Sequence, residues 1–346
     1  MIRESGSLLH VKTPNISLDA AGLVALADLT TIQQRTALTG DAVLCDIFVI
    51  CPGIHAQKGS VSLNGGEYPA CAALTSGYVF RIENPATVYY LQQVGRTGFL
   101  TTLEVGRLFS EGERPPFWSL STMFSHYNTT VTSTLAYATA VIWSITVIVL
   151  VGAARDWWAL GMIFLLMLSR LGNVLIIRRR ARGEKWSGAS EEGEQGDLLV
   201  LLSQDRWIRM KGAVDDLKKC TSGQWLRDES NAESWITALA TLLVYLAAAL
   251  TSNAELFGQI LILCLLIGNA GLLAIANFAT KELQMHGIKI KVLGEPVKYR
   301  RRRDLADALV EETKRDDWAV RMGMIVKDKC PKCSNGCDCV DTAAVM

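Results

Sequence analysis

Four thiols stand within ten residues near the end of the chain, at Cys330, Cys333, Cys337 and Cys339. Thiolates grouped this closely are metal ligands by type and number. The first pair, Cys330-Pro331-Lys332-Cys333, has the spacing of a zinc knuckle. The second, Cys337-Asp338-Cys339, has a single residue between its thiols, and no structured segment separates the pairs as it does in usual four-thiol zinc folds. Zinc is therefore a candidate cofactor on ligand type and count. S-acylation that pins the tail to a bilayer is a second reading, and a reduced tail whose thiols have no fixed role is a third.

A second group of polar residues is embedded in long apolar runs: Arg170 and Asn173 in one, Gln259, Asn269 and Asn277 in another. A cation close before Arg178 reads either as an anchor snorkelling to headgroups or, with Asn173, as part of a polar site between helices. Asn269 lies in Ile267-Gly268-Asn269-Ala270-Gly271, where small neighbours permit close backbone approach and an Asn serves as interhelical glue. Thr237, Thr241 and Tyr245 share one face at helical spacing and are natural partners for it. A third group, Arg300, Arg301, Arg302 and Arg303, follows Lys298-Tyr299. Such a run attracts anionic lipid headgroups by about 1 kcal/mol per residue close to a membrane surface; Asp304, Asp307, Glu311 and Glu312 offer ion pairing along a helix instead.

Catalytic constellations are thin. The four histidines, His10, His55, His126 and His286, form no metal array. Asn64-Gly65-Gly66-Glu67 lacks the Lys of a phosphate loop and reads as a turn. Asp215-Asp216 reads as a solvated helix start. No catalytic residue is assigned, and a formal net charge of +1 that is segregated along the chain implies no nucleic-acid partner.

The elements that carry these groups are dominated by four apolar runs, about 131–153, 157–177, 234–250 and 256–279. At about 1.5 Å per residue, roughly 20 residues cross a hydrocarbon core about 30 Å thick. The expected fold class is mainly α: a four-helix transmembrane region of two helical hairpins, with cytosolic α+β portions from the N-terminal region and from the middle loop plus the tail. Arg178, Arg179, Arg180, Arg182 and Lys185 follow the second run and Lys281, Lys289 and Lys291 the fourth, whereas the turns 154–156 and 251–255 hold one Arg between them. Positive-inside bias puts those turns outside or in a lumen and both termini in the cytosol.

Residues 1–118 read as a cytosolic mixed α/β domain: a helix over Leu18–Leu38 closed by Gly40, a buried strand over Val43–Cys51, and strands over Tyr78–Ile82 and Thr87–Leu91 around a Glu83-Asn84-Pro85 turn. A juxtamembrane segment and first hairpin occupy 119–177, a cytosolic loop 178–233 and a second hairpin 234–279. A strand and helix follow over 280–329, and the Cys-rich tail is 330–346. In the loop, Asp197–Leu202 and Arg206–Lys211 predict a β-hairpin and Ala213–Cys220 a short helix; Ile288–Leu293 alternates like an edge strand. No cleavable leader is expected, and Asn15-Ile16-Ser17 and Asn128-Thr129-Thr130 match the glycosylation pattern but are inert on a cytosolic face.

The run from Gly196 to Gly212, GDLLVLLSQDRWIRMKG, with Val214-Asp215-Asp216-Leu217-Lys218, Thr221-Ser222-Gly223 and Trp225-Leu226, resembles a family of uncharacterised multi-pass integral membrane proteins of filamentous fungi. The resemblance covers roughly the apolar runs and the middle loop and implies a membrane location without an activity or catalytic residues. The leading expectation is a membrane-anchored interaction or scaffold protein that contacts a protein partner or a lipid surface. The alternatives are a membrane enzyme on an apolar or lipid substrate and an oligomeric transporter or channel.

Overall fold

The computed structural model describes residues 20–108, 130–182 and 188–326. In chain order the helices are α1 (Ala20–Ala25), α2 (Thr31–Thr39), α3 (Pro85–Val94), α4 (Val131–Ala154), α5 (Trp157–Ala181), α6 (Val214–Thr221), α7 (Asn231–Leu250), α8 (Leu256–Ala279), α9 (Arg302–Thr313) and α10 (Asp317–Arg321). The strands are β1 (Ala70–Ala73), β2 (Val79–Arg81), β3 (Phe99–Arg107), β4 (Gln195–Leu202), β5 (Arg206–Ala213), β6 (Glu282–Met285), β7 (Ile288–Val292) and β8 (Val297–Lys298). Two compact units emerge, each assembled from three stretches of chain: Met1–Leu63 with Phe109–Lys185 and Trp225–His286, and Asn64–Leu108 with Trp186–Gln224 and Gly287–Met346.

The first unit is a helix bundle. Helices α4, α5, α7 and α8 are each long and apolar enough to cross a membrane. Their outward faces are apolar, as Ile142, Phe164, Leu242 and Phe278 show, the pattern expected where lipid is the surrounding solvent. α4 packs against α8 and α5 against α7. Inward on α4, Ser133, Ala136, Ala140 and Ser144 recur at intervals of three to four residues, and small side chains at that spacing let backbones approach. Between α5 and α7, Ser169 Oγ donates to Ala240 O at 2.7 Å. The two tight turns are stitched together by Asp156. One of its oxygens caps α5 at Ala159 N, and the other accepts from Glu255 N at 2.9 Å. At the opposite end, α7 opens with a capping box in which Ser230 and Glu233 satisfy each other's backbone N–H.

The structure divides residues 1–118 differently from the single domain expected. Met1–Leu63 belong with the bundle and Asn64–Leu108 with the second unit. The long helix expected over Leu18–Leu38 is two short ones, α1 and α2, with Gly40 closing α2 in the left-handed region at φ 67°. The buried strand expected over Val43–Cys51 is a 3-10 turn, Leu44–Phe48. Asp46 explains it: its carboxylate accepts from Val43 N at 2.9 Å, and a side chain that bonds its own backbone competes with an extended strand.

The second unit is a mixed sheet, ordered β2-β1-β4-β5-β3-β7 with β8 also beside β3. β3 and β5 run parallel and the other pairs antiparallel. The β4–β5 hairpin forms as expected, its turn made by Gln204 and Asp205 at positive φ. α9 and α10 pack on one face, where Leu199, Trp207, Leu305, Leu309 and Trp318 are buried together. α6 covers the other, where Leu217 approaches Gly196 so closely that a Cβ there would lie 2.6 Å from its Cδ1. α3 replaces the strand expected at Thr87–Leu91. Asn84 caps it by accepting from Ala86 N and Thr87 N, and Pro85 sits at its first turn, so the presumed turn is a helix start. β4 and β5 of the middle loop share this sheet with β7 and β8, which follow α8, and Asn64–Leu108 completes it.

Candidate functional site inside the helix bundle

Four polar residues of the apolar helices, Asn173, Thr241, Asn269 and Asn277, converge on one object, the chain between Thr31 and Ala56. Asn269, at mid-length of α8 and fully buried, donates its amide to Ile50 O at 2.9 Å and to Ser144 Oγ of α4 at 2.8 Å. Asn173 of α5 donates to Ile54 O at 3.3 Å. Asn277 donates to Thr31 O at 2.8 Å. Thr241 of α7 donates to His55 O at 3.3 Å, and the His55 ring packs beside Tyr245 at 6.0 Å. Thr241 and Tyr245 thus serve the inserted chain rather than α8. Gln259 stays local, donating to Thr251 O and Ala254 O of its own turn.

Arg170 does not snorkel. It is 1% exposed, and its Nε donates to Asp46 O at 3.2 Å. Around Asp46 lies a buried charged cluster. Tyr137 of α4 donates its hydroxyl to Asp46 Oδ1 at 2.7 Å. Arg35 lies over the Tyr137 ring, 5.5 Å from its centroid, and donates to Ser133 Oγ and Thr280 Oγ1 at 3.0 Å each. Arg178, counted in the sequence among the orienting cations, is buried and donates to Ala42 O at 2.9 Å. Arg35 Nε and Arg170 Nη1 have no acceptor among the described residues.

These contacts trace the inserted chain. Asp41 and Ala42 lie at the Arg182 and Arg178 end of α5, Asp46 reaches Arg170, Ile50 reaches Asn269, and Ile54 turns back to Asn173. Cys51-Pro52-Gly53 forms the apex. Gly53 sits at φ 92° against Leu29 O, where a side chain has neither the conformation nor the room. Irregular backbone is tolerated in an apolar bundle only when its N–H and C=O groups are satisfied from within, and Asn side chains meet that requirement. In the sequence these Asn residues read as glue between helices. The missing signal was the identity of the partner, because a carbonyl acceptor leaves no trace in residue type.

In the second unit the densest ion-pair arrangement is Arg209 of β5. It grips Asp197 of β4 at 2.6–3.0 Å and Glu312 of α9 at 2.7 and 2.8 Å. Hydrogen bonds from Arg209 hold Glu312 below the usual carboxylate range. Burial opposes the charge on Arg209, but its bonds to Asp197 and Glu312 outweigh that and raise its pKa. Cys71 and Cys220 are fully buried, and burial pushes Cys220 up to about 12, so both are inert thiols. Of the basic run, Arg300 to Arg303 are all exposed. Arg302 pairs with Asp205, and Arg303 lies 3.7 Å from Asp307 one turn along α9. Cys330, Cys333, Cys337 and Cys339 lie outside the described residues.

No family model, curated protein or solved structure matches this chain.

Proposed function

We propose that this chain is a membrane-embedded protein whose bundle anchors the mixed-sheet unit as an interaction module, engaging a protein partner or anionic lipid headgroups without chemistry of its own. The observation that carries this is how the bundle uses its polar groups: Asn173, Asn269, Asn277, Arg170 and Arg178 each donate to a main-chain carbonyl of the inserted chain. Side chains committed to structural acceptors support a packed interior. The resemblance to fungal multi-pass proteins is in keeping with this role, and positive-inside bias assigns the Arg178–Lys185 side to the cytosol. Zinc at the four tail cysteines belongs to the same proposal. It is tested by native mass spectrometry with and without chelator, and absence of metal-dependent mass removes it.

The lipid part rests on the exposed Arg300–Arg303 run. Hydrogen exchange of the protein in nanodiscs should be slower over residues 298–304 with anionic lipid than with neutral lipid, and the Gln substitutions of Arg300 and Arg301 should shrink the difference. Equal exchange in both membranes would remove lipid contact and leave a protein partner.

One observation favours transport as a second reading. The non-helical stretch after α1 meets the apex at Gly53, and interrupted backbone is how many transporters build solute sites. Arg35 Nε and Arg170 Nη1 would then serve an anionic solute. Protein-dependent anion flux into liposomes, lost in Arg170→Gln, would establish this reading in place of the first.

A further inference from the structure

Helices α1 and α2 contact opposite ends of the bundle. At Gly22 a Cβ would lie 2.6 Å from Ala248 O and 3.0 Å from Thr251 Oγ1, so α1 is pressed against the end of α7 beside the tight turn into α8. At the other end of the passage Arg35 bonds Ser133 in the first turn of α4 and Thr280 just past α8. Gly40 closes α2 against the backbone of Gln284 and Met285, past the end of α8. Between Gly22 and Gly40 the chain therefore covers the whole length of α8.

We propose that Ala20–Thr39 is a fifth, interrupted passage through the bilayer, entered at Ala20 on the face of the two tight turns and left at Thr39 on the face of the Arg178–Arg182 end of α5. This rests on the membrane reading of the bundle and replaces the parity argument that put the N-terminus beside the loop. The charge distribution agrees independently. Residues 1–19 hold two bases, Arg3 and Lys12, against five in the stretch from Arg178 to Lys185, so positive-inside bias does not retain them with the loop. The interruption, Leu26–Thr30, exposes Asp28. A carboxylate at a helix centre in lipid costs about 2.5–3.5 kcal/mol, so this break is the wetted part of the passage.

The test uses the full chain in sealed endoplasmic-reticulum vesicles. One protein carries an N-terminal extension with an epitope and an Asn-x-Thr acceptor, and the same protein carries a second epitope inserted after Gly193, in the loop. Added protease should remove one epitope and spare the other, with both lost after detergent, and the acceptor should be glycosylated if its epitope is the one spared. Both epitopes spared, or both cleaved without detergent, would put residues 1–19 on the loop face and overturn the fifth passage. A second measurement separates this from failure of the membrane reading. If alkaline carbonate extraction released the protein, the bundle would not be membrane-embedded and both readings would fall together.

Discussion

At the residue scale the decisive group is Asn269. A main-chain carbonyl buried without a donor costs about 1–3 kcal/mol, and Asn269 serves both Ile50 O and Ser144. Asn269→Leu should therefore destabilise the detergent-solubilised protein by about 1–3 kcal/mol in reversible unfolding. Phe278→Leu on the outward face, where the ring is 89% exposed, should change stability by about 0.5 kcal/mol or less. If the two substitutions proved equal, the inserted chain would not depend on its side-chain donor. In the second unit, Arg209 and Glu312 make stability depend on pH. Glu312 is depressed from 4.5 in the folded chain, so its contribution is complete above about pH 4.5 and is lost as the pH falls through its lower folded value. The acid unfolding midpoint of the sheet unit should shift in Glu312→Gln, whereas stability differences between pH 6 and 8 should stay the same in both proteins. A difference confined to neutral pH would contradict the assignment.

At the element scale, the legible features were those set by length and periodicity. Four runs of 17 to 24 apolar residues became four long helices, and alternation around Ser203-Gln204-Asp205 became the β4–β5 hairpin. The illegible ones were decided by single side chains bonding backbone. Asn84 turned an apparent strand into α3, and Asp46 turned another into a 3-10 turn. Asn84→Ala should cost about 1 kcal/mol, the usual worth of an N-cap, measured as a lower chemical-denaturation midpoint for the sheet unit; an unchanged midpoint would mean Pro85 alone sets the start of α3. The candidate residues were legible as polar groups within apolar runs, and Arg170, Asn173, Gln259, Asn269 and Asn277 are all buried. The partner shared by all but Gln259 was not, because Val43–Cys51 is apolar enough to read as core of a separate domain and only the tertiary fold shows it inside the helices.

At the scale of the whole molecule, both compact units are interleaved along the chain, three stretches each, and neither can be finished until the chain is nearly complete. Ile50 and Asn269 are bonded across 219 residues. At about 5–20 residues per second of synthesis, the carbonyls of the inserted chain wait roughly 10–40 seconds for the donors on α8. A polar backbone cannot wait in lipid, so under the proposed membrane reading the 41–56 stretch must stay in water, or with a holding factor, while the helices that will receive it are being made. Ribosome-bound chains that end before Leu256 should accordingly leave the 41–56 stretch open to protease, and full-length chains should protect it. Protection in the shorter chains would mean that the stretch docks without α8. The order of manufacture is thus the reverse of the order of the sequence: the segment made first is the last to find its place.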